Sequence, residues 1–130
     1  MMECKFDHVH ILTADPEAVA AWFEKLLDAE VIRSAQGGKP RIDVKLGGQM
    51  IFIMPVSASD TRPAPEHTHL GLDHFGLSVT NIEAVYEELK ARGATFTQQL
   101  HTPRPGIRIM FLKGPDNISV EILERNQAFR

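Results

Sequence analysis

Two histidines occupy matching places in the two halves of the chain: His8 in FDHVHILTAD and His74 in LDHFGLSVTN, 66 residues apart. Near the end, the segment SVEIL carries Glu121. Two imidazoles and one carboxylate make the N,N,O donor set that suits non-haem Fe(II) and would also hold Mn, Co, Ni or Zn, with positions left for a substrate. Taken singly, each residue reads more readily as a strand histidine or a solvent-facing carboxylate. What favours a ligand set is recurrence at equivalent positions on one face, and that depends on the elements carrying them.

The recurrence extends well beyond the histidines. Laying residues 6–27 on 72–93 matches Asp7 with Asp73, His8 with His74, and Glu17-Ala18-Val19 with Glu83-Ala84-Val85. Continued without a gap, the match puts Val44-Lys45-Leu46 on Met110-Phe111-Leu112; a three-residue loop insertion then lays Ile51-Phe52-Ile53 on Val120-Glu121-Ile122. Such self-similarity marks a structural unit used twice. Each half opens with a short strand and passes into a helix at Asp15-Pro16 or Asn81-Ile82, where Asp and Asn are natural N-caps and Pro suits the first helical position. Val19, Trp22, Phe23, Leu26 and Leu27 make one apolar face, as do Ile82, Val85, Tyr86 and Leu89. Gly93 closes the second helix. Strands are expected over 29–34, 41–46 and 49–55, then 94–99, 107–112 and 118–124, so each half reads βαβββ. Residues 1–130 are expected to form a single domain, with a first module over 5–56, a polar, Pro-bearing linker over 57–71 and a second module over 72–124.

Side chains two apart on a strand share a face. Val9 and Ile11 then pack on the helix, leaving His8, His10 and Leu12 on the other side; Phe75, Leu77 and Val79 do the same for His74, Gly76 and Ser78. Val120 and Ile122 fill the helix side opposite Ser119, Glu121 and Leu123. Met50, Phe52 and Met54 share the face away from the helix, together with Arg41, Asp43 and Lys45. This face is expected to be the wall of a partly apolar binding site.

Asp43 is a candidate base, able to take a proton alpha to a carbonyl; its alternative is an ion pair with Arg41, Lys45 or Arg108. His10 shares the face of His8 and, as an imidazole, a side-chain type that exchanges protons around neutral pH, is a candidate acid/base or substrate donor, or an ordinary strand residue. Arg104 and Arg108 could anchor a substrate carboxylate or phosphate, with a solvated face as the default. His67 and His69 alternate in the linker, but without a carboxylate partner they read as polar loop, as does His101. Loops over 34–40 and 101–106 are expected to carry specificity.

Composition narrows the function classes. Fourteen Lys and Arg against seventeen Asp and Glu give a formal charge of −3, offering no general attraction to nucleic acid or anionic lipid. No stretch nears the roughly 20 apolar residues that span a bilayer. Cys4 is the only cysteine and the start MMECKFDH lacks the pattern of a signal peptide, so the expected compartment is the reducing cytoplasm.

At FDHVHILTAD, LDHFGLSVTN and FLKGPDNISVEIL the sequence resembles the vicinal oxygen chelate superfamily of glyoxalase I, methylmalonyl-CoA epimerase, extradiol dioxygenases, and fosfomycin- and bleomycin-resistance proteins. The last segment is similar to the family ending F-x-D-P-D-G-x-x-x-E-L, with Gly114 and Asn117 as departures. The resemblance covers nearly the whole chain. It implies an α+β fold: two βαβββ modules in tandem forming a curved, open-barrel mixed sheet with helices outside, one divalent metal ion on His8, His74 and Glu121, and a homodimer. Asp43 resembles the position of a catalytic carboxylate in the epimerase. Where glyoxalase I and the epimerase have a fourth ligand, this chain has Phe52, which cannot ligate, so glutathione-linked chemistry is not implied. The dioxygenases also place a His and a Tyr near substrate, and the only Tyr here is Tyr86 on a helix. The expected function is metal-dependent lyase or isomerase chemistry on a small oxygen-chelating metabolite through a metal-stabilised enolate. The alternatives are an Fe(II)-dependent extradiol-type dioxygenase and a non-catalytic antibiotic-binding protein.

Overall fold

Helix α1 (Pro16–Leu27) begins where the Asp15 side chain accepts the Ala18 N–H at 3.1 Å and Pro16 takes the first helical position. It ends at Asp28, in the left-handed region with φ 55°, whose N–H closes on the Glu24 carbonyl. Val19, Ala20, Phe23 and Leu26 form its buried stripe. The stripe covers a four-stranded sheet, ordered β1-β4-β3-β2, made of β1 (His8–Thr13), β2 (Glu30–Gln36), β3 (Lys39–Leu46) and β4 (Gln49–Pro55). Ile42, Val44, Ile51 and Ile53 are the sheet residues buried there. Phe23 is fully buried, so its truncation to Ala would cost about 3–5 kcal/mol. The computed structural model describes all 130 residues, and this first module lies in one of two units, Met1–Pro63 and Ala64–Arg130.

Strand β1 runs parallel to β4, with His8 beside Met50, His10 beside Phe52 and Leu12 beside Met54. The other pairings are antiparallel hairpins, and two-residue turns at Gly37-Gly38 and Gly47-Gly48, all at positive φ, join them. The 34–40 segment expected as a loop is therefore mostly strand. Glycine pairs supply the twist a two-residue hairpin needs, and the flanking residues continue the ladder.

The second unit repeats the order with β5 (Phe75–Ser78), α2 (Ile82–Ala91), β6 (Phe96–Arg104), β7 (Ile107–Lys113) and β8 (Ser119–Arg125), its sheet ordered β5-β8-β7-β6. Ile82, Leu89, Met110, Leu112, Val120 and Ile122 form its core. β6 runs on to Arg104 through irregular pairing with β7, so 101–104, expected as loop, is also strand. His74 sits immediately before β5 rather than within it. Val44 pairs with Ile51 and Leu112 with Val120, so Leu112, not Met110, is the ladder counterpart of Val44. That shift is two residues, and an even shift leaves each side chain on its expected face.

Asn81 occupies the N-cap of α2, but its side chain makes no capping bond and its φ is 56°. Glu124 of β8 does the capping instead, accepting from Ile82 N at 3.0 Å and Asn81 N at 3.2 Å. The Ile82 N–H bond is the main reason the Glu124 carboxyl lies below its ordinary range; burial opposes it and the Asn81 N–H adds to it. A depressed folded-state pKa contributes stability above the unfolded value, and that contribution disappears as pH falls through the folded value. Glu124→Gln should therefore melt below the wild type at neutral pH, with the gap closing as thermal unfolding is followed into acid.

Candidate metal centre

In the first module, His8 is oriented by the residue before it: Asp7 Oδ2 lies 2.7 Å from His8 Nδ1. A carboxylate on one ring nitrogen fixes the imidazole and directs the lone pair of Nε2 outward, the arrangement usual for metal-bound histidine. The His8 ring lies on Phe52, centroids 4.2 Å apart, and the His10 ring meets Phe52 edge-on at 6.1 Å. The Arg41 guanidinium sits 4.8 Å from the same Phe52 centroid. Phe52 is thus the floor on which two imidazoles and a cation rest. Met50 is half-buried beside it and Met54 is exposed.

Asp43 is buried, and both its oxygens are engaged. Arg41 Nε donates to Oδ2 at 2.7 Å, and the Ile53 backbone N–H donates to Oδ1 at 3.1 Å. Asp43 lies opposite Phe52 at the last pair of the β3–β4 ladder, so its carboxylate takes the next β4 N–H in place of a strand carbonyl. Arg41 also donates to Gln36 Oε1 at 2.6 Å. Of the two readings of Asp43, the ion pair with Arg41 is what the geometry contains.

In the second module, His74 lies between two carboxylates. Asp73 Oδ2 is 2.7 Å from its Nδ1 and Glu121 Oε1 is 2.9 Å from its Nε2, while the Phe111 ring packs edge-on at 4.8 Å. Burial pulls the His74 pKa down; hydrogen bonds to Asp73 and Glu121 and their charges outweigh it, leaving the imidazole above its ordinary range. Asp73 is held below the carboxylate range, chiefly by its bond to His74 and against partial burial, with His67 assisting. Glu121 pairs with Gly76 on one side and Phe111 on the other. Phe52 likewise pairs with His10, the residue matching Gly76, so Phe52 and Glu121 are counterparts in their ladders.

Arg108 departs from expectation. It lies opposite Glu124, on the face that carries Met110, Leu112 and α2, and it is ion-paired with Glu83 of that helix. As a group held on the helix side, it does not share the face of His74 and Glu121. Tyr86 donates its hydroxyl to Gln99, and His101 Nδ1 approaches the Gln99 carbonyl at 2.7 Å.

Sequence reasoning matched Asp7 with Asp73 and gave neither a role. Their recurrence immediately before each candidate ligand was the available signal. Phe111 was missed because the ungapped repeat set it against Lys45 rather than Asp43.

The donor atoms suit a divalent ion. His74 Nε2 and Glu121 Oε1 are already at the spacing of two neighbouring ligands, and both candidate histidines carry an orienting carboxylate. No helix is long and apolar enough to cross a membrane.

Among solved structures, the chain is similar to UcmS2, at 20% identity over 94% of this chain and 98% of that one, TM-score 0.74. It is also similar to a glyoxalase/bleomycin resistance protein/dioxygenase from Alicyclobacillus acidocaldarius, at 18% identity over 93% and 91%, TM-score 0.71. TioX from Micromonospora sp. ML1 aligns at 17% identity over 94% and 99%, TM-score 0.70. At these identities the likeness speaks for the fold alone. Comparison with curated proteins finds no match. A family model matches residues 5–122, and with paired βαβββ modules already in view the chain belongs to the glyoxalase/bleomycin resistance protein/dioxygenase superfamily.

Proposed function

We propose that His8, His74 and Glu121 bind one divalent metal ion and that the protein is a lyase or isomerase for a small metabolite chelating through adjacent oxygens. The observation that carries this reading is the repeated Asp-His pair, each aspartate 2.7 Å from Nδ1 of the histidine it precedes. Paired orienting carboxylates at equivalent places have no use in the core, since all four residues are exposed or half-buried. When bound, the ion supplies Lewis-acid polarisation of a substrate carbonyl.

The protein's own groups divide the remaining work. Phe52 and Met50 give the substrate an apolar wall, and Arg41, held by Asp43 and Gln36, sets the edge of that wall. His10 is the proposed acid/base: it is exposed beside Phe52, and its imidazole can take a proton from a carbon alpha to a carbonyl and return it. Asp43 is the second candidate, with its Oδ2 already engaged by Arg41 Nε at 2.7 Å. The dioxygenase alternative gains no support from Tyr86, whose hydroxyl is committed to Gln99.

Elemental analysis of protein purified without chelator should find one of Fe, Mn, Ni, Co or Zn, reduced in His8→Ala, His74→Ala and Glu121→Ala. Full occupancy in all three variants would overturn the site. Asp7→Asn should keep the ligands but weaken metal affinity by roughly 10- to 100-fold. Phe52→Glu should tighten binding by adding a fourth oxygen. Metal uptake must displace the proton that His74 holds between its two carboxylates, so affinity measured over a pH series should keep rising above the ordinary histidine range.

With a panel of 2-oxo acids and acyl thioesters in deuterated solvent, His10→Gln should slow alpha-proton exchange by roughly 10²- to 10⁴-fold at unchanged metal content. Asp43→Asn should instead lower thermal stability, by about 1–3 kcal/mol, because it leaves Arg41 without its carboxylate. Oxygen consumption with a catechol would replace the isomerase reading with the dioxygenase. Absence of metal in the wild type would replace it with a binder.

A further inference from the structure

The segment leading into β5 assembles a second set of metal donors. Alone in the sequence, His67 and His69 lacked a carboxylate partner; the fold provides Asp73. One ligand atom from each of His67, His69 and Asp73 lies within 4.8 Å of the others, and His67 Nδ1 is 3.0 Å from Asp73 Oδ1. Two donors bonded at about 2.0–2.2 Å to one ion stand about 2.8–3.1 Å apart at a right angle and about 3.3–3.6 Å apart at a tetrahedral angle, so this pair is within a few tenths of an ångström of ligand spacing. The His69 Nδ1–H faces the Leu70 carbonyl at 3.0 Å. That bond leaves the lone pair on Nε2, which selects the ligating nitrogen as a backbone carbonyl does for metal-bound histidines. The two rings lie with centroids 5.5 Å apart, inclined at 34°.

The segment is anchored and the cluster has an open side. The Asn117 side-chain amide donates to the Pro65 carbonyl at 3.2 Å, tying the run before His67 to the turn before β8. A cavity of about 260 Å³ adjoins His67, lined also by Glu66, Lys113, Asn117 and Ser119. That cavity meets the donor set at His67 alone; His67 and Asp73 are themselves exposed, so the water or small anion that completes coordination when the protein offers three ligands can come from solvent.

We propose that His67, His69 and Asp73 form a second divalent-metal site, for a borderline transition ion such as Zn²⁺ or Co²⁺, distinct from the His8, His74 and Glu121 set. Two imidazoles and a carboxylate favour such ions over Mg²⁺ or Ca²⁺, which take oxygen ligands. Asp73 faces both sets: Oδ1 toward His67, Oδ2 toward His74. An ion at the second site would therefore fix the carboxylate that orients His74.

The test is a Co²⁺ titration of tag-free, full-length protein, read by equilibrium dialysis and visible absorption. In a His8→Ala/Glu121→Ala background, which leaves the three donors intact, one Co²⁺ per chain is expected. Adding His67→Asn and His69→Asn should abolish it, whereas adding His101→Asn should not. Binding unchanged by His67→Asn/His69→Asn, or no Co²⁺ bound in the background protein, overturns the site. The two metal proposals fail separately. Co²⁺ lost from the wild type only on His67→Asn/His69→Asn supports the second site and sinks the first. Co²⁺ lost only on His8→Ala/Glu121→Ala does the reverse.

Discussion

The parallel pairing of first and last strand in each module is the constraint on which the candidate chemistry rests. Joining β1 to β4 and β5 to β8 side by side leaves each helix on one face of its sheet. Burial of Val44, Ile51 and Ile53 beneath α1, or of Leu112, Val120 and Ile122 beneath α2, then fixes strand parity. His10, Phe52 and Asp43 in one module, and Gly76, Glu121 and Phe111 in the other, have only the opposite face left to them. A one-residue slip would bury the polar set and expose the core, so hydrophobic burial enforces the polar register.

Charge arrangement supplies what parity cannot. Glu121 and Asp73 hold the His74 imidazole from both nitrogens, and Asp7 holds His8 from one. Arg41 plays the corresponding part in the first module, contacting Phe52 and binding Asp43. The modules share a backbone plan and differ in what covers the outer face: an aromatic floor with a cation in one, an imidazole between carboxylates in the other.

Fold and face were legible because both depend on short-range pattern. Alternation at 8–12 and 118–124, the Asp15-Pro16 start and the 66-residue repeat are enough to give βαβββ twice. The partners of individual side chains were less legible. Glu124 capping α2 joins residues more than forty apart in place of a local Asn81 cap, and no periodicity announces it. Arg108 illustrates the same limit: its type suits an anion, yet strand parity puts it on the α2 side, where it pairs with Glu83 of that helix. His67 and His69 looked inert because their carboxylate partner belongs to the start of the next module, and proximity to Asp73 arises only when the segment turns back.

The glycine hairpins of the first module bear on how that module forms. Turns at Gly37-Gly38 and Gly47-Gly48 let β2, β3 and β4 meet across two residues each, at almost no entropic cost in loop closure. β1 must instead find β4 across the intervening helix and hairpins, and closure entropy rises with that span. The strand bearing His8 and His10 is thus the most costly to join, while the meander holding Phe52 and Asp43 is favoured by local contact. Speed of assembly and possession of the imidazole face are governed by different parts of the same chain.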